Sequence, residues 1–151
     1  MIFQSVHRLR EAGVLGMNSR NADYIMPCNS RSSFPLVDDK VLTKKLAEAQ
    51  QIPAPPLYYV IEKHGDIAGL AEAVKERCEF VVKPARGTGG SGIVLVQECT
   101  DEGYVTQSGE VISRENFSYH ISDILSGIYS LSGLEDRALV EREGHQHDRD
   151  A

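Results

Sequence analysis

The chain has 151 residues, and a 41% hydrophobic, 25% charged composition suits one soluble core or two small lobes sharing it. A formal charge of −6 argues against a nucleic-acid surface, so any anionic ligand must be held by a few placed cations rather than by the overall field. No apolar run is of membrane-spanning length, and the charged start MIFQSVHRLREAG is not a secretory leader; the expectation is a cytoplasmic protein with neither membrane nor nucleic-acid partners. Cys28, Cys78 and Cys99 are odd in number and widely spaced, with no CxxC, and are expected as reduced thiols.

Ser5 to Leu15 reads as a short helix with Val6, Leu9 and Ala12 or Gly13 on one side and Gly16 ending it. The following NSRNADYIMPCNSRSSFPLVDD is rich in Asn, Ser, Arg and Pro and reads as irregular. Asp38 or Asp39 caps a helix over KVLTKKLAEAQQ, where Leu42, Leu46 and Ala49 share a face. IPAPP stops that helix, and LYYVI reads as a strand. GDIAGLAEAVKERC has Ile67, Leu70, Ala71 and Val74 at helical spacing.

EFVVKPA and GIVLVQE read as strands flanking a glycine loop, and GYVTQSGEVIS as a hairpin turning at Ser108-Gly109. A long helix follows from Ser113, with Phe117, Ile121, Ile124, Leu125 and Ile128 as its core stripe. RALVERE is the last strand. The tail 144–151 is polar apart from Ala151 and is expected to be disordered; its His145 and His147 are not expected to bind metal. The whole predicts an α+β fold in which Phe80–Pro84 and Ile93–Gln97 pair as neighbours under the helix from Ser113.

The chemistry concentrates in VVKPARGTGGSGIVLV. Val81 and Val82 place Lys83 at a strand end, and Pro84 has no N–H for further pairing. Gly87, Gly89, Gly90 and Gly92 permit positive φ and close approach to a ligand, and Thr88 and Ser91 add hydroxyls. Exposed amides beside a lysine suit a phosphate; a plain flexible hairpin is the alternative. A Walker A loop and a dinucleotide fingerprint both need glycines leading into a helix, whereas here a strand follows.

A hairpin folding over phosphates, with its lysine rooted in the first strand, resembles the ATP-grasp superfamily. LVDDKVLTKKLAEAQQIPAPP is similar to the superfamily's entry segment, with Gln51 where glycine is common. RALVERE resembles the strand leading to the adenine hinge. Together with GVLGMNSRNADYIMPCN and ILSGIYSLSG, the chain resembles the α-L-glutamate-ligase-related ATP-grasp proteins over about residues 10 to 142. The resemblance implies ATP as cofactor, Lys40 and Lys83 as the two nucleotide lysines, the glycine loop Gly87–Gly92 as phosphate lid, and Glu141 as the residue that receives the adenine amino group.

Other readings stand beside these. Lys40 also reads as a solvated helix-start lysine and Glu141 as an edge-strand carboxylate, while Lys44 and Lys45 read as surface lysines. Arg20 and Asn21 either stabilise a turn or meet a substrate carboxylate.

The resemblance divides the chain into a pre-ATP-grasp segment (1–37), the lysine and glycine-lid lobe (38–143) and the tail. It implies carboxylate–amine ligation through an acylphosphate, with magnesium held by a C-terminal lobe. No Glu-x-Asn follows Glu141, and the tail departs from the family pattern as a truncation or shifted reading frame does. The expectation is therefore a ligase portion inactive alone, its hinge strand uncovered and open to self-association; a non-catalytic nucleotide- or protein-binding module is the alternative.

Overall fold

The computed structural model describes residues 2–131 and 133–143. The tail with His145 and His147 lies outside the described residues. The chain divides between Val37 and Asp38 into two compact units.

The first unit is more helical than its composition suggests. Helix α1 spans Ile2–Glu11. It ends earlier than expected because Gly13, not Gly16, turns the chain: Gly13 has φ +80, and Val14 N–H donates to Leu9 O. The stretch expected to be irregular contains a helical run from α2 (Met17–Ser19) through a π-helical turn (Arg20–Ile25) to α3 (Met26–Cys28). In the π turn Met26 N–H reaches back to Asn21 O. Pro27 has no N–H to continue the ladder, and the wider register directly before it accommodates that gap. A 3₁₀ turn, Arg31–Ser33, and the short α4, Pro35–Asp38, follow.

The second unit is a six-stranded, wholly antiparallel sheet. Its strands are β1 (Leu57–Ile61), β2 (Phe80–Pro84), β3 (Val94–Cys99), β4 (Gly103–Thr106), β5 (Val111–Ser113) and β6 (Ala138–Glu141). The order across the sheet is β1-β6-β2-β3-β4-β5. The pairing of β2 with β3 and the β4–β5 hairpin are as the sequence predicts. The last strand differs: β6 sits between β1 and β2, and its four residues are buried. The expected uncovered hinge strand is thus a central strand, and the edge-strand reading of Glu141 is overturned.

Side-chain alternation gives the sheet two faces. Phe80, Val82, Val96, Ala138, Val140 and Ile61 point to the main core. Helix α7 (Arg114–Leu125), capped by Ser113 Oγ accepting from Asn116 N–H, covers this face with Phe117, Ile121, Ile124 and Leu125. Phe117 sits edge-on to Phe80 and close to Tyr104. Ile128 does not join the stripe and is exposed, because the helix has ended and Gly127 takes φ +84.

The segment 64–78 is not one long helix. A 3₁₀ turn, His64–Gly69, leads into a single α turn, α6 (Leu70–Ala73). Ile67, Leu70 and Val74 still reach the core, while Ala71 is exposed. Tertiary contacts override the helical period. Asp66 accepts from Glu62 N–H and Lys63 N–H, and Tyr59 Oη stands 2.6 Å from where a Cβ on Gly69 would be.

Helix α5 (Lys40–Ala49) lies on the other face, burying Val41 against Ala85 and Leu139. Its expected apolar stripe is not its buried side: Leu46 is exposed, whereas Lys44 is turned in. The helix closes with a Schellman turn. Gln51 N–H donates to Glu48 O and Ile52 N–H to Ala47 O. Gln51 takes φ +55 at the left-handed position, which explains why glycine is favoured there. Gln51→Gly is expected to raise the unfolding free energy by about 1 kcal/mol in urea titration, with the slope unchanged; a loss of stability would show that the Gln51 backbone is not strained.

Candidate functional site

The face of the sheet opposite the main core carries the chemistry. The register pairs Val81 with Glu141 and Lys83 with Leu139, so Lys83 and Glu141 are diagonal neighbours on that face. Lys83 Nζ ion-pairs with Glu141 Oε1. Lys44 Nζ reaches the same carboxylate from α5, 2.5 Å from Oε2, and donates to Pro55 O at 2.6 Å. Glu141 is 2% exposed. Its Oε2 accepts no aligned hydrogen bond, although Lys44 stands at ion-pair distance. A buried carboxylate between two cations is tolerated because each offsets the desolvation of the other.

A second carboxylate places Lys40. Asp39 is 1% exposed and caps α5, accepting from Val41 N–H and Leu42 N–H. Its other oxygen accepts from Arg137 Nη2 at 2.5 Å and Arg86 Nε at 3.3 Å. Burial works to raise the Asp39 pKa, but the Leu42 amide and the Arg137 and Arg86 charges outweigh it and hold the carboxyl below its usual range. Asp136, also buried, accepts from Arg86 N–H and Arg137 N–H.

Lys40, next to the cap, is half-buried. Its Nζ donates to Gly87 O at 2.7 Å and Ala85 O at 3.3 Å, at the root of the glycine loop. Burial first, and then the positive charge of Lys83, push its pKa down, against the pull of Asp136, Asp39 and Glu141. The solvated reading of Lys40 does not describe this environment.

The loop itself leaves β2 after Pro84 and enters β3 at Val94. Thr88, Gly89, Gly90 and Ser91 are exposed, with Gly89 at φ +62 and Gly90 at φ +79. Consecutive left-handed residues are open only to glycine-like backbone.

Of the residues singled out from sequence, Lys40, Lys83, Glu141 and the root of the loop stand together in the second unit. Arg20 and Asn21 lie in the first unit on the π turn, Arg20 exposed and Asn21 half-buried. Lys45 is exposed, as read. Lys44 is not a surface lysine: its side chain is 14% exposed. Its position one turn after Lys40 was the available signal, since the two share a helix face. Arg86 and Arg137 gave no comparable signal, because their partner Asp39 is distant in sequence, and Asp136 meets the Arg86 amide from 50 positions away. A groove of about 620 Å³ between α5 and residues 51–57 shares Lys44 with the cluster.

Lys40 thus meets the root of the glycine hairpin, and Lys83 lies on the strand that leads into it. The family model for sugar-transfer associated ATP-grasp proteins matches residues 19–149. The chain belongs to the sugar-transfer associated ATP-grasp family. Its α+β fold accords with that membership, and ATP binding with ligase-type chemistry is the superfamily's property. No curated protein and no solved structure gives a match.

Among the described residues no group of three His, Cys, Asp or Glu side chains is placed to hold a metal ion. No helix among them is long and apolar enough to cross a membrane. The cysteines are free thiols, and the fold brings Cys78 to Cys99, whose pKa is pushed up to about 12 by burial and by Cys78.

Asp39 makes stability depend on pH. Its depressed pKa contributes stability that is present above the ordinary value of 3.8 and lost as pH falls through the folded-state value. Wild type is thus expected to lose stability below that pH more steeply than Asp39→Asn, which keeps a cap oxygen. At neutral pH Asp39→Ala should cost about 1–3 kcal/mol. Parallel acid profiles for wild type and Asp39→Asn would remove Asp39 from this role.

Proposed function

We propose that the Lys40–Lys83–Glu141 face binds ATP, with the phosphates on the two lysines and the glycine loop and the base end at Glu141, to activate a carboxylate for attack by an amine. The observation that carries this is electrostatic. Lys40 lies at the root of the exposed loop, and burial first, then the like charge of Lys83, lowers its pKa. An anion placed between the two lysines relieves that repulsion and is bound the more tightly for it. Glu141, a buried carboxylate paired with Lys44 and Lys83, is the proposed acceptor for an adenine amino group, a role that rests on the sequence resemblance.

In such a reaction a carboxylate oxygen attacks the γ-phosphorus, and the bond to ADP breaks. The amine then attacks the acyl carbon, and phosphate leaves. ATP supplies the phosphoryl group. The lysines hold its oxygens and offset the charge that develops on them, and the loop amides fix its position. In the first unit, Arg20, with a fork of donors, and Asn21 are proposed to bind a carboxylate.

The specific reading is glutamate addition of the α-L-glutamate-ligase kind, which rests on the sequence resemblance. The family's description links it to sugar transfer, which makes an amino sugar an acceptor to test beside amino acids.

Calorimetric titration checks the assignment. Lys83→Ala should weaken ATP binding by about 1–3 kcal/mol, the range of a charge-assisted contact. Equal affinity in the two proteins would reject Lys83 as a phosphate ligand.

A further inference from the structure

The glycine loop is held at both ends by one stretch of chain. At its start, Gly87 forms a bridge with Ser130, and Leu131 N–H donates to Arg86 O at 3.3 Å. At its end, His120 Nε2 lies 3.0 Å from Gly92 O. A carbonyl only accepts, so Nε2 carries the hydrogen and donates.

The Tyr129 ring completes the clamp. It stands 5.5 Å from the His120 ring and packs against the main core. It also fills the space beside Gly92, where an added Cβ would come within 2.6 Å of the ring at φ +76. Between the two anchors the exposed residues Thr88 to Ser91 have no such support, and Cβ atoms built on Gly89 and Gly90 meet nothing within 4 Å. The clamp therefore sets where the exposed tip begins and ends while leaving it open to a ligand.

We propose that His120 is a positioning residue for the phosphate loop: its Nε2–H holds the Gly92 carbonyl so that the Thr88–Ser91 backbone is pre-organised for the phosphates of a nucleotide. This rests on the reading of the loop as a phosphate lid. A loop free at one end must be ordered on binding, and that ordering subtracts from affinity. The effect is confined to the part of the ligand that the loop touches. His120 sits on α7, across the sheet from Lys83 and Glu141, so it has no direct part in gripping the base.

The test compares ATP with adenosine by calorimetry on the full chain. His120→Phe keeps a ring against Tyr129 and removes the donor. It is expected to weaken ATP about 5-fold, the scale of one net hydrogen bond, and to leave adenosine unchanged. His120→Gln restores a donor and should stay within about 2-fold of wild type. If the Phe variant fails to fold, His120→Leu against His120→Gln makes the same comparison, since neither has a ring and only Gln donates. ATP affinity unchanged by loss of the donor overturns the inference and leaves the nucleotide reading intact. Equal weakening of ATP and adenosine overturns it as well, since that marks a general loss of structure. Absence of ATP binding by wild type overturns the nucleotide reading and this inference together.

Discussion

Asp39 carries a negative charge into a nearly dry position, and the second unit is arranged around it. One oxygen accepts the first amides of α5; the other meets Arg137 and Arg86. Arg137 immediately precedes β6, and Arg86 immediately precedes the glycine loop. A buried carboxylate must have such partners, because an isolated one is too costly to desolvate. Satisfying it ties a helix start, a strand start and a loop root to one point. Lys40, the next residue, then has little choice of direction: its amide and its Nζ both donate to Ala85 O, and its Nζ also to Gly87 O.

The two faces of the sheet differ in chemistry. One face is apolar and sealed by α7, with Phe80, Phe117 and Tyr104 in mutual ring contact. The other collects Lys83 and Glu141, on strands whose alternate residues belong to the core, and Lys44 from α5. A charged cluster stays in register there because a one-residue slip would drive Lys83 into the apolar side. Strands and α5 thus carry the charges, while the loop tip between β2 and β3 is exposed.

Electrostatic tension on the second face is a reason to expect a ligand. Lys40 is depressed by burial and by Lys83, while Glu141 draws Lys83 and Lys44 onto one carboxylate. Two lysines on one buried glutamate, with Lys40 at the root of the glycine loop, gather positive charge there. The chain as a whole is acidic, so this charge is local and placed, as recognition of an anion by an acidic protein requires.

The sequence by itself determined the elements that rest on short-range physics. Alternation and turn chemistry placed β2, β3 and the β4–β5 hairpin; the Ser113 cap and its apolar period placed α7; Asp-Lys before a helical run placed α5. It also showed where the lysine and glycines of the loop lie. What the tertiary structure decided depends on partners far apart in the chain. Ile67, Leu70 and Val74 have helical spacing, yet Tyr59 and Asp66 hold most of that segment in a 3₁₀ turn and a single α turn. RALVERE read as a last strand, with Glu141 open to an edge-strand reading, and insertion between β1 and β2 makes β6 an interior strand. Leu42 and Leu46 suggested an inward apolar stripe on α5, whereas pairing of Lys44 with Glu141 turned a cationic side to the sheet. A buried charge selects its partner through space, and local periodicity carries no record of that choice.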